Sequence, residues 1–112
     1  MTTKLYPPRD ITLPVTIFMD GIPFALCMTE KASLSAMHIR LSPWALYPSQ
    51  INEVEFARKT TEGTERHRIP VTVDRMEGNL ARAIFGQLSP DTLAALRQLL
   101  YEDEQALAAH SG

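Results

Sequence analysis

The dipeptide Asp20-Gly21, set between two apolar runs, constrains this chain more than any other feature. A two-residue hairpin loop needs backbone at positive φ, which Gly adopts freely and Asp tolerates, so the pair predicts two antiparallel strands. The run before it, Ile11–Met19, alternates. Leu13, Val15, Ile17 and Met19 fall on one face, and Thr12, Pro14, Thr16 and Phe18 on the other. The run after it, Ile22–Thr29, returns as the second strand.

The same punctuation recurs downstream. Met37–Leu41 sets Met37, Ile39 and Leu41 opposite His38 and Arg40, and Ser42-Pro43-Trp44 ends it. In Ile51–Ala57, Val54 and Phe56 oppose Glu53 and Glu55. Lys59–Arg66 is polar, contains Gly63 and reads as a loop. Ile69, Val71 and Val73 alternate with Pro70, Thr72 and Asp74; Glu77-Gly78-Asn79 turns the chain, and Leu80–Phe85 is the last strand. Six short strands at this spacing predict an antiparallel barrel or sandwich.

A helix follows. Ser89 is a good N-cap, Pro90 suits the first helical position, and Asp91 faces the positive end of the helix dipole. Leu93, Leu96, Leu100 and Leu107 recur at helical spacing, with Leu99 widening the stripe, which predicts a helix over residues 90–108 packed on the barrel. Residues 1–10, with Pro7-Pro8, read as an extended arm, neither helix nor strand, and residues 11–109 as a single domain. Trp44 and Tyr47 sit in a Pro43–Pro48 loop and either cap a barrel end or form a contact patch.

Composition narrows the function classes. The 112 residues carry a net charge of −2, whereas a general DNA or RNA binder needs a basic surplus to release counterions. One cysteine, Cys27, excludes an internal disulfide and a cysteine zinc cluster, and its apolar strand predicts a buried, inert thiol. The longest apolar run, Ile22–Met28, contains Pro23 and is far too short to span a membrane. With no signal-peptide core after the first residues, the expected location is the cytoplasm.

The catalytic inventory is poor. Phosphate-loop, dinucleotide, zinc-protease and nucleophile-elbow motifs are all missing. His38, His67 and His110 have no second ligand at helical or strand spacing, so no metal site is expected. Glu53/Glu55 and Glu102/Asp103/Glu104 read as solvated faces. No enzyme, catalytic residue or cofactor is expected.

Two stretches carry a family likeness. The segment from Lys31 through Ser33 and Ala36 to Ile39 resembles the D-x-S-x-x-G-x-x-[VIL] strand of PilZ domains. Phe85-Gly86-Gln87-Leu88-Ser89-Pro90, followed by a leucine-rich helix, resembles the F-x-x-L-S-P close of the same family. Arg9 precedes the first barrel strand where the family's arginine arm joins, and Leu46–Phe56 is similar to its middle strand. The likeness spans about residues 9–100 and is nearest to the PilZ domains of bacterial cellulose synthases. It implies a six-stranded antiparallel barrel with a C-terminal helix.

It also implies a ligand. PilZ domains bind cyclic di-GMP through an R-x-x-x-R arm and the D/N-x-S-x-x-G strand, which places Arg9, Lys31, Ser33 and Ala36 at the ligand positions. Arginine forks suit phosphate and the guanine O6/N7 edge, and the acidic residue accepts guanine N–H. Here Leu5 stands at the first arginine position, Lys31 at the acceptor and Ala36 at the glycine. Lysine has three donors and no acceptor. Losing one fork and one charged acceptor costs roughly 2–5 kcal/mol, or about thirty- to several-thousand-fold in affinity. The expectation is a bacterial, non-catalytic regulatory or adaptor module of cyclic di-GMP signalling. It would bind the nucleotide weakly or not at all, and act on a protein partner or a second copy of itself. The alternative is a receptor that uses Arg9 and Ser33 in a variant site.

Overall fold

The structure, a computed structural model, describes residues 7–41 and 50–102. Trp44, Tyr47, Leu5, Leu107 and His110 lie outside them. The strands are β1 (Arg9–Asp10), β2 (Pro14–Met19), β3 (Ile22–Ala32), β4 (Ala36–Arg40), β5 (Glu53–Thr60), β6 (Gly63–Glu77) and β7 (Leu80–Phe85). Strands β2 to β7 close a six-stranded antiparallel barrel in the order β3-β2-β5-β6-β7-β4, and β4 pairs back onto β3. Closure leaves the long β3 shared between β2 at its start and β4 at its end.

The hairpin at Asp20-Gly21 forms as expected, with φ of 52° and 79° at the two residues. Inward residues of alternating strands fill the barrel: Val15, Ile17, Ile39, Val54, Phe56 and Ile69 are almost wholly buried. Phe18 lies on the other face of β2, as its parity requires, yet it too is buried. The Arg68 guanidinium covers its ring at 3.9 Å from the centroid. The β2–β3 register shifts here, pairing Ile17 with Ala25 and Phe18 with Pro23, so Phe24 is the extra residue of a bulge.

The segment Lys59–Arg66 is not the loop its polarity suggests. β5 and β6 continue through it, pairing Arg58 with Glu65 and Thr60 with Gly63 around a Thr61-Glu62 turn. Most of this ribbon is exposed, so it needs no apolar alternation. Opposite charges support it across the strands, Arg58–Glu65 at 4.0 Å and Arg66–Glu55 at 3.7 Å.

The arm also differs from expectation at its end. Arg9 and Asp10 pair with Ala32 and Lys31 of β3, continuing the edge that β2 occupies further along. Between them Thr29 Oγ1 accepts from Leu13 N at 2.9 Å and donates to Ile11 O at 2.6 Å, so the irregular link is held from inside. Its buried hydroxyl thereby satisfies backbone groups that no strand partner reaches.

The helix starts where its sequence signals place it. Ser89 Oγ accepts from Thr92 N at 3.1 Å and α1 covers Pro90–Arg97. A wider π-helical turn, Gln98–Glu102, continues it, and the rest of the predicted 90–108 span lies outside the described residues. Leu96 and Leu100 of the predicted stripe are buried against the barrel core. No helix among the described residues is long and apolar enough to cross a membrane.

Candidate functional site

The turn between β3 and β4 is built by one side chain. Ser33 Oγ accepts from the backbone N–H groups of Ser35 and Ala36, each at 3.2 Å, and Ser33 N donates to Ala36 O at 2.8 Å. Its hydroxyl proton is within reach of Ala36 O at 3.4 Å and Ser35 Oγ at 3.3 Å. This is a serine turn, in which the hydroxyl replaces a missing strand partner. The oxygen has two lone pairs and both are engaged.

Around that turn lies a cleft of about 270 Å³. Lys31, Ser33 and Ala36 all line it, so three of the four residues singled out from the sequence are brought together. His38 and Arg82 complete the polar wall. Neither stood out in the sequence, where each is one outward residue of an alternating strand. The available signal was positional, since His38 pairs with both Lys31 and Arg82 across the sheet. A neighbouring hollow of about 310 Å³ shares Lys31 and His38 but is acidic on its far side, with Asp10, Glu30 and Glu77.

Arg82 is the strongest cation of the cleft, and it is already partnered. Its Nε and NH2 donate to the two carboxylate oxygens of Asp74 at 3.0 and 2.7 Å, a bidentate fork. Asp74 is the extra residue of a bulge between Val73 and Arg75, which explains how a β6 side chain reaches an arginine paired with Arg75. The hydrogen bonds from Arg82 hold the Asp74 carboxyl below its ordinary range, and Asp74 in turn holds the guanidinium charge more firmly.

Arg9 is not among the residues lining the cleft. Its NH1 donates to Leu100 O at 3.0 Å, and its guanidinium carbon stands 6.0 Å from the centroid of the Tyr101 ring. Tyr101 OH donates to Pro7 O at 2.8 Å, so the arm and this helical turn each donate to the other. A guanidinium suits a helical carbonyl, the negative end of its peptide dipole.

A larger hollow, about 620 Å³, lies between the β5–β6 ribbon and α1. Several of its charged groups are already paired within the fold. His67 Nδ1 meets Thr92 Oγ1 at 3.1 Å, His67 Nε2 meets Glu65 at 3.3 Å, and the imidazole stacks on Phe56 at 5.2 Å. This network ties α1 to the barrel, so size alone does not make the hollow the better site. Cys27 is buried and burial pushes its thiol pKa up, away from nucleophilic chemistry. Among the described residues no three His, Cys, Asp or Glu side chains group to hold a metal ion.

No protein-family model matches the chain, and no curated protein matches it in sequence. Solved structures do. The PilZ domain of CeSA from a cellulose-synthesizing bacterium superposes with a TM-score of 0.63 at 18% identity, covering 88% of this chain and 99% of that one. The Bacillus subtilis inhibitor of motility, MotI/DgrA, superposes with a TM-score of 0.71 at 13% identity over 95% of this chain. This chain covers 53% of that protein, about half its length. Closed barrel, serine turn and capped terminal helix together, the chain has a PilZ-like fold.

Proposed function

We propose that the chain is a non-catalytic regulatory or adaptor module of cyclic di-GMP signalling in the bacterial cytoplasm, which acts through protein contacts and binds the nucleotide weakly or not at all. The observation that carries this reading is the engagement of the two ligand-type side chains it retains. Arg9 is turned to the Leu100 carbonyl, and the Ser33 hydroxyl is taken up inside its own turn. Lys31 adds donors where guanine N–H groups need an acceptor, and unpaired donors at such an edge discriminate strongly. The cleft, at about 270 Å³, is also slightly below the ~300 Å³ usual for small-molecule sites.

Calorimetric titration with cyclic di-GMP tests it. The expected result is a Kd weaker than micromolar, or no heat; submicromolar binding overturns the reading. The triple variant Leu5→Arg, Lys31→Asp, Ala36→Gly is expected to gain at least tenfold. No gain would mean that these positions do not line a nucleotide site.

The second reading, a receptor with a variant site, is favoured by one observation. Lys31, Ser33 and Ala36 share their cleft with Arg82, a cation able to fork onto phosphate if Asp74 releases it. In that case Asp74→Asn strengthens binding and Arg82→Ala abolishes it.

A further inference from the structure

The first half of β3 carries an apolar stripe on the outside of the barrel. Ile22 is 66% exposed, Phe24 50%, Leu26 70% and Met28 44%. Pro23 between them is exposed as well. Single exposed apolar residues need no explanation, but a contiguous row does. On the outer face, Pro23, Phe24, Leu26 and Met28 offer on the order of 400 Å² together, inside the ~300–600 Å² of patches that mark contact sites.

The surroundings keep the stripe accessible. β4 ends at Arg40, opposite Met28, so among the described residues only β2 pairs with Ile22–Cys27. The bulge at Phe24 sets Pro23 opposite Phe18 on the outer face beside Phe24, Leu26 and Met28, and leaves Ile22 opposite Met19 on the inner side at the barrel's end. Across the sheet, Leu26 faces Thr16 and then Glu55, so the apolar surface gives way to a polar margin within two strands.

We propose that this stripe is the self-association surface of the chain, its occupant being the β3 stripe of a second copy in a two-fold homodimer. The inference rests on the reading above of a module that acts through protein contacts, and not on nucleotide binding. The outer row Phe24, Leu26 and Met28 is apolar from end to end, so reversal about a two-fold axis near Leu26 sets Phe24 toward Met28 and Leu26 toward its own copy. Every position then meets an apolar partner, the self-complementarity that an isologous interface requires. Two such stripes bring about 800 Å² of apolar surface together, and a polar rim raises the total toward the ~1,200 Å² at which specific interfaces begin. A lipid surface is the poorer occupant. The chain is net acidic, and Asp20 and Glu30 flank the stripe at its two ends, where an anionic membrane calls for a basic surround.

Sedimentation of the nucleotide-free chain over about 1–200 µM tests the proposal, because interfaces at the small end of the size range belong to weak, transient encounters. The unaltered chain is expected to pass from monomer to dimer. Leu26→Glu and Phe24→Asp, both on the outer face, are expected to remain monomeric throughout with unchanged circular dichroism and Tm. A chain that is monomeric at every concentration overturns the proposal, as does a dimer that both variants leave intact. Monomers that float with neutral lipid vesicles would assign the stripe to a membrane instead. A failed or successful cyclic di-GMP titration leaves these outcomes unchanged, so the two readings fail separately.

Discussion

Arg9 and Leu100 stand 91 positions apart in sequence and are joined by a 3.0 Å hydrogen bond from guanidinium to carbonyl. The arm therefore closes onto the helical segment while its backbone pairs with Ala32 of β3. Arg9→Ala is expected to lower stability by about 1 kcal/mol, near the usual worth of one partly exposed hydrogen bond. Amide exchange in Gln98–Tyr101 should quicken by more than exchange in β5. Urea unfolding together with residue-resolved hydrogen exchange checks both, and uniform quickening would contradict a local latch.

Ser33→Ala separates a turn-building hydroxyl from a ligand contact. The two backbone N–H groups it satisfies would be left to solvent, at a cost of roughly 1–2 kcal/mol. The expected outcome is a lower Tm with no change in a cyclic di-GMP titration. A titration that weakens while Tm holds would reassign the hydroxyl to the ligand.

The Asp74–Arg82 fork gives a pH signature with a definite sign. The Asp74 carboxyl is lowered in the folded chain, so its contribution to stability is present above the unfolded value of ~4. It is lost as pH falls through the folded value. Carbon-detected NMR titration of Asp74 should show a midpoint below that of an ordinary aspartate, and Arg82→Gln should return it upward. An unmoved midpoint would separate the carboxyl from the arginine.

Two changes near the helix entrance test its geometry. A Cβ built on Gly86 stands 3.2 Å from Pro70 Cγ, while Gly86 N donates to Pro70 O at 2.7 Å. Gly86→Ala must push the Pro70 ring aside or weaken that bond, and a loss of about 1 kcal/mol is expected. Ser89→Ala removes the N-cap and should cost about 1 kcal/mol. Thermal unfolding of the two variants and of the double variant checks whether the effects add.

The strands with one buried face were readable from alternation, and the hairpin from Asp20-Gly21, because local sterics allow few other readings. Ser89 and Pro90 located the helix start for the same reason. The β5–β6 ribbon was misread since it is polar and mostly exposed, so its strands have no periodicity to display. Site residues divided along a similar line. Lys31, Ser33 and Ala36 are close in sequence and stay close in space, whereas the destination of Arg9 depends on a carbonyl almost the whole chain away. His38 meets Lys31 through the β3–β4 pairing and Arg82 joins them through β4–β7, and no local pattern announces either register.

Ring closure has a kinetic consequence. The β5–β6 hairpin joins neighbours in sequence, but the ring shuts only when Ala36–Arg40 meets Leu80–Ile84, forty or more residues further on. Such a long loop must be ordered before its contacts return any energy, so the seam between β4 and β7 is the natural last step of folding. The cleft containing Lys31 and Arg82 straddles that seam. Until the seam forms, this surface does not exist, and a newly made chain can recognise nothing there before its barrel is whole.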